Sequence, residues 1–375
     1  MTAQSIPGNQ KKIEELESIR GLAALLVVFF HMPKWNPVLN IAIINNSNLM
    51  VDLFFVLSGF VIFSAYSEKI NTQKDLIRFQ FLRFGRLYPV HIIFLFAFVF
   101  IDLAKYIAQI KFGIVSPNNI PFERNNLSAF IKNIFLVQSV LPNQEGSFND
   151  PSWSISVEFY TYLVFGLCIL YSGRMKIPVF SSIAVISLAM LATDSSFGFV
   201  SLIRCFAGFF IGCLTSYAIK GIKVTISPYI ALFVMILILL FLQLKNENTP
   251  TQYDLLIYFL TAALIASLIL SPEKSLVKKI LNLKAFTWLG AVSYSVYMSH
   301  LAVIWVVTQL FRFIWKRPEI PGTDGKSILQ LSVSDTLVAC GIIVVSVLLI
   351  STLVYNYVEK PLRAKSREFA FSKLI

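Results

Sequence analysis

A chain of 375 residues that is 56% hydrophobic and only 14% charged is too apolar to have water as its main solvent, since a soluble domain carries about 25% charged residues. High apolar content with ordinary Gly and Pro excludes a disordered or collagen-like chain, and four cysteines exclude a disulfide-rich scaffold. The few charges nevertheless sum to +12, because Lys and Arg outnumber Asp and Glu 32 to 20.

Apolar runs of about 17 to 25 residues mark spanning helices. About ten are legible, so the expected fold is all-α, a polytopic transmembrane helix bundle. The first, 19–35, is short, and its core GLAALLVVFF lies between Arg20 and His31, both costly in hydrocarbon unless they face protein or water. The second, 51–66, opens with Asp52. The third, 89–107, follows RFQFLRFGRLYP with Arg78, Arg83 and Arg86, and His91 is expected at its interfacial boundary. NLSAFIKNIFLVQSVL puts Leu127, Phe130, Ile131, Ile134 and Phe135 on one helical face, the pattern of an interfacial or re-entrant helix on the outer side. Further spans are expected at 153–171, with Glu158 about a turn in, and at 177–193, 202–219, 224–244 and 253–270. Two more follow, 286–313 with Ser293, Ser295 and His300, and 335–357, which precedes VEKPLRAKSR.

Alternating the loops puts about 21 Lys and Arg on the side of both termini and about 11 on the other, so both termini are expected to be cytoplasmic. No secretory leader is expected, because mostly polar residues precede the first apolar run without a cleavage site. Cys168, Cys205, Cys213 and Cys340 stand singly in apolar segments and read as packing residues. With no internal repeat, phosphate loop or metal-ligand cluster, no metal and no permanently bound cofactor is expected. One integral domain, 19–363, is expected between cytoplasmic tails 1–18 and 364–375. Basicity on one face of a membrane needs no nucleic acid to explain it.

The informative residues are the ionisable ones that apolar sequence surrounds. His31, Asp52, Glu158 and, less strongly, His300 form an outer group, and only three histidines occur in the whole chain. The arginines form an inner group. Their plainer reading is positive-inside topology, although RxxR spacing also suits bidentate phosphate contacts. Arg20 and His31 are eleven positions apart, about 16 Å of helix and close to three turns, so they project on nearly one face. A ligand with an anionic head and a long thin arm fits that spacing, and coenzyme A thioesters have this shape.

ESIRGLAALLVVFFHMP, VDLFFVLSGFVIF, RFGRLYPV, SWSISVEFYTYLVFG, SYSVYMSHL and YNYVEKPLR occur in that order between about residues 17 and 363. Together they resemble the acyltransferase-3 family of membrane-bound O-acyltransferases, which includes bacterial O-acetylases of surface polysaccharides and Nod factors. The family's Arg, ten residues, His motif is met by Arg20 and His31, its paired-Arg motif by Arg83 and Arg86, and its Trp-Ser-x-x-x-Glu motif by Trp153, Ser154 and Glu158. The resemblance implies a bundle of about ten helices in the bacterial plasma (inner) membrane and acyl-CoA as co-substrate, acetyl by prevalence. The implied acceptor is a hydroxyl of a cell-surface or exported glycan or a lipid-linked sugar. SVEFYTYL lacks the second acidic residue that many relatives place after the first Glu. Some relatives continue into a soluble hydrolase-like domain. Any step assigned to it is expected to be absent or to fall to another protein, and polysaccharide-assembly proteins are among the partners the resemblance allows.

Acyl transfer from a thioester to a hydroxyl needs a held donor, a base and donors for the developing oxyanion. His31 is the candidate base. Its plainer reading, an interfacial histidine bonded to backbone, is the commoner one for the residue taken without the motif. Glu158, or else Asp52, is expected to orient His31 or contact the acceptor. Arg20, Arg83 and Arg86 are candidates for the donor phosphates, and Trp153, Ser154, Tyr160 and His300 for the acceptor or cavity wall. Ser154 and Ser58 lack a GxSxG setting, so direct transfer is preferred to an acyl-enzyme. The competing reading is a transporter or flippase in which His31, Asp52 and Glu158 relay protons, against which stands the lack of repeats and broken helix pairs. A scaffold without chemistry leaves so many buried ionisable residues unexplained.

Overall fold

The computed structural model describes residues 13–115, 118, 120–143, 145–321 and 327–373. Its helices in chain order are α1 (Glu14–His31), α2 (Ala42–Asn45), α3 (Met50–Tyr66), α4 (Gln73–Phe112), α5 (Leu127–Ile134), α6 (Trp153–Ser172) and α7 (Lys176–Ala192). There follow α8 (Val200–Ile219), α9 (Pro228–Leu244), α10 (Leu256–Leu270), α11 (Leu276–Leu281), α12 (Lys284–Gln309), α13 (Val333–Val354) and α14 (Lys360–Ser372). Strands β1 (Glu319–Pro321) and β2 (Ser327–Leu329) pair antiparallel with Ile320 opposite Ile328. Among the described residues seven helical runs are long and apolar enough to cross a membrane. One of them, Asp150–Ala192, holds both α6 and α7; α9 is shorter, and α1 carries Glu14, Glu15, Glu17 and Arg20 in its first two turns. The chain is an all-α polytopic bundle.

Local chemistry sets the ends that matter for the site. α1 stops at His31 because Met32 turns extended ahead of Pro33. α4 starts at Gln73 rather than near Pro89, because Thr72 and Asp75 form a reciprocal capping box, and Pro89 is carried inside the helix. Forty residues make about 60 Å of helix, roughly twice the hydrocarbon core, so α4 projects beyond it. His91 is buried in α4, and its Nε2 donates to the Asn133 carbonyl of α5 at 3.0 Å. The amphipathic segment around α5 ends its helix at Ile134, and Leu136 takes a left-handed backbone with φ 56°. Residues 14–18, expected in a tail, form the first turn of α1, and α14 continues through Ser372, while residues 1–12 and 374–375 of the expected tails lie outside the described residues.

Two packing contacts build the centre. α3 lies along α8, and α1 lies along α12. In the second pair a Cβ on Gly21 would stand 2.6 Å from the Gly290 nitrogen, and one on Gly290 would stand 2.3 Å from the Glu17 carbonyl oxygen, so the backbones touch as only glycine permits. Both helices run the same way. Ten residues further along each, His31 and His300 meet.

Candidate active site

Below, the near end of the bundle is the one where α1 begins, and the far end is the one where it reaches His31. At the far end a chamber of about 260 Å³ is lined by His31 with Trp153, Arg204, Tyr297 and Asp150. His31 Nδ1 lies 2.9 Å from the Val27 carbonyl and 3.2 Å from His300 Nε2. A carbonyl only accepts, so Nδ1 of His31 carries the proton and Nε2 keeps its lone pair. That is the tautomer a base needs. His300 is fully buried, and among the described residues its own Nδ1 has no hydrogen-bond partner.

The chamber's cation is held from behind. Asp52, at 2% exposure, receives Arg204 Nη2 at 2.6 Å and Nε at 3.1 Å, together with the Tyr258 hydroxyl at 2.8 Å. This leaves Nη1 outside the bidentate pair, and the guanidinium lies 5.1 Å over the Trp153 ring. Asp52 itself does not line the chamber.

Towards the near end lies a narrow pocket of about 70 Å³ lined by Arg20, Arg86, Ser58, Glu158 and Tyr162. Glu158 accepts from Ser58 Oγ and from Tyr162, each at 2.5 Å. Glu158 and Tyr162 are four residues apart on α6, which puts them on one face. Arg20 donates to Glu17 at 2.8 Å, whereas Arg86 makes no hydrogen bond among the described residues. Val51 and Tyr297 line both this pocket and the His31 chamber. Tyr297 is thus a shared wall, with its hydroxyl donating to Pro151 O at 2.8 Å and standing 2.9 Å from Ser154 Oγ.

The structure sorts the sequence candidates. His31, Trp153 and His300 gather at the chamber, and Arg20, Arg86, Ser154 and Glu158 gather at the narrow pocket. The expected imidazole–carboxylate pair does not form: Glu158 is engaged by Ser58 and Tyr162 and Asp52 by Arg204, and the ring that meets His31 is His300. Arg83 separates from Arg86. It is buried among the Tyr66, Phe79 and Tyr162 rings, at 5.2, 5.8 and 6.0 Å, donates to the Tyr66 hydroxyl, and lines neither space. Tyr160 also stands outside, donating to the Phe135 carbonyl at 3.0 Å. Sequence reasoning missed Arg204, Tyr162 and Tyr297. For Arg204 a signal existed, a lone arginine near the start of the apolar run VSLIRCFAGFF.

A helix bundle of this kind, with internal spaces that bear histidine at one end and arginine at the other, is a multi-pass membrane protein. The chain belongs to the acyltransferase-3 family, whose acyltransferase-domain model matches residues 13–355. It is 25% identical over 393 aligned residues to the putative peptidoglycan O-acetyltransferase YrhL of Bacillus subtilis, covering 95% of this chain and 56% of that protein. It is 23% identical over 389 residues to the O-acetyltransferase OatA of Staphylococcus aureus, covering 95% and 58%. Against acyltransferase MdmB of Streptomyces mycarofaciens it is 32% identical over 185 residues, 46% of this chain and 43% of the other. The chain thus spans little more than half the length of the relatives it matches along most of its own. No solved structure gives a significant match.

Proposed function

We propose that this protein is a membrane-bound O-acetyltransferase that moves an acetyl group from acetyl-CoA to a hydroxyl of a surface or exported glycan. The observation that carries the reading is the shared wall. A pocket bearing two arginines and a chamber bearing an Nδ1-protonated histidine are separated by Tyr297 and Val51, so one thin ligand passing them reaches from cation to base. The names of the YrhL and OatA relatives supply the acetyl group and the glycan. The near end, where most Lys and Arg lie, is the cytoplasmic side of the bacterial plasma membrane, and acetyl-CoA enters there.

The donor phosphates meet Arg86, with Arg20 beside it, at the near end of the narrow pocket, and the thin pantetheine arm runs on towards Tyr297. With Tyr297 swung aside, the thioester lies in the chamber. His31 Nε2 removes the proton of the acceptor hydroxyl as that oxygen bonds to the thioester carbonyl carbon. Arg204 offers positive charge to the developing oxyanion, and Asp52 holds it in place. The C–S bond then breaks, and the His31 imidazolium returns the proton to the departing thiolate, giving an O-acetyl ester and free CoA. Neutral His300, with its Nε2 beside Nδ1 of His31, takes the orienting place expected of a carboxylate.

The test is transfer of labelled acetyl from acetyl-CoA to a glycan by the purified protein in lipid nanodiscs. His31→Ala that inserts normally is expected to lower the rate by at least about a hundredfold. Undiminished transfer by that variant removes His31 as the base.

A further inference from the structure

Beyond the chamber, at the far end, lies a much larger cavity of about 1100 Å³. It meets the His31 chamber at Gly146 and Asp150, which line both. Its wall also continues the chamber's: Gln138 faces the large cavity and the next residue, Ser139, faces the chamber. Along α12 and the turn that extends it, Leu301, Trp305, Thr308 and Arg312 fall at steps of three or four, so the face that begins beside His300 runs out as one side of this cavity.

We infer that this cavity is the acceptor site and that it is built for an uncharged oligosaccharide of several rings. The inference rests on the acyl-transfer reading for its link to His31. Three features carry it. The volume slightly exceeds that of pockets that hold drug-sized ligands of several rings. The charges lining it cancel: Lys105, Arg124, Lys132 and Arg312 on one side of the account face Asp102, Glu123, Glu145 and Asp150 on the other. Lys105 is within 2.9 Å of Asp102, and Arg124 within 3.8 Å of Asp150. A wall of that kind gives a polyanion no net attraction. Six amides line it, Asn118, Asn125, Asn126, Gln138, Asn143 and Gln309; Asn118, Asn125, Asn126 and Gln309 each use nitrogen and oxygen once within the protein, which leaves one proton and one lone pair apiece for sugar hydroxyls.

One of these amides asks for a partner. Gln138 is only 5% exposed and donates through Nε2 to Ser152, yet its Oε1 has no hydrogen bond among the described residues. An unsatisfied buried acceptor is costly, and a sugar hydroxyl in the cavity satisfies it. Trp305 adds an aromatic face on which the C–H side of a sugar ring can lie.

The experiment uses the full chain in nanodiscs, chitotetraose as the neutral probe and tetragalacturonate as an anionic probe of equal length. Calorimetry without acetyl-CoA is expected to give saturable binding of chitotetraose and at least about tenfold weaker binding of tetragalacturonate. Gln138→Leu and Trp305→Ala are each expected to raise the chitotetraose requirement about five- to tenfold, leaving the acetyl-CoA requirement unchanged. His31→Ala is expected to bind chitotetraose normally while failing to acetylate it. If chitotetraose binds and the variants weaken it but no acetyl is transferred, the glycan site stands and the acyl-transfer reading falls. If neither probe binds, if both bind alike, or if transfer proceeds with a glycan requirement that Gln138→Leu and Trp305→Ala do not change, the inference is overturned.

Discussion

Arg83 and Arg86 are three positions apart and both lie near Tyr162, yet they are engaged differently. Arg86 borders the narrow pocket without a hydrogen bond among the described residues, while Arg83 spends its guanidinium on three aromatic rings and a tyrosine hydroxyl. Arg86→Gln is accordingly expected to raise the KM for acetyl-CoA about ten- to a hundredfold, the worth of one or two charge-assisted hydrogen bonds, with little change in thermal stability. Arg83→Gln is expected to do the reverse, lowering the melting temperature with the KM for acetyl-CoA near that of the unaltered protein. Steady-state kinetics and thermal unfolding of the two variants check this. Equal effects on KM mean that both arginines touch the donor.

Among the elements, α1 and α12 matter most, because their glycine contact sets the register in which His31 meets His300. A methyl at Gly290 stands 2.3 Å from the Glu17 carbonyl oxygen, and backbone cannot give way as a side chain does. Gly290→Ala is expected to cost about 1–3 kcal/mol of stability and to lower kcat at least tenfold, although it lies about 15 Å along α12 from His300. Thermal unfolding and kcat at saturating acetyl-CoA measure both effects. The β1–β2 hairpin is a second case. Burial pushes the Glu319 carboxyl up, but hydrogen bonds from Ser327 and Arg312 outweigh it and hold the group below the ordinary glutamate range. A depressed carboxyl stabilises fully above its unfolded value of about 4.3 and loses that contribution as pH falls through the folded value. Hydrogen exchange at the Ile320 and Ile328 amides is expected to be slow from pH 7 to about 5 and to lose protection below about pH 4. Protection that persists unchanged to about pH 3 rejects the role of Glu319.

At the scale of the molecule, three spaces lie in series from the arginine pocket through the His31 chamber to the large cavity, each sharing residues with the next. A donor and an acceptor kept on opposite sides of a membrane meet only through such a series. The orientation proposed above is open to direct measurement. Cysteines introduced at Lys74, in the first turn of α4, and at Asn248, between α9 and α10, are expected to differ in intact cells. A membrane-impermeant maleimide should label the second once it has crossed the outer envelope, and not the first. Labelling of Lys74→Cys alone inverts the orientation.

Composition and run length alone determined the class of this protein, because 14% charge leaves no solvent but lipid for so many apolar helices, and each helix is a local matter of twenty residues. The helix that carries Arg20 and His31 was legible for the same reason, since helical pitch fixes their spacing without reference to the rest of the chain. The apolar run 89–107 lies inside α4, whose start was also written locally, in the capping pair Thr72 and Asp75. What only the tertiary structure decided are the pairings across helices. Asp52 went to Arg204, 152 positions away, and His31 to His300, 269 positions away. Which buried charge satisfies which depends on where backbones approach, at Gly21 and Gly290 for example, and no sequence window contains both sides of such a contact. The same holds for the cavities, whose walls come from segments that meet only in the folded bundle.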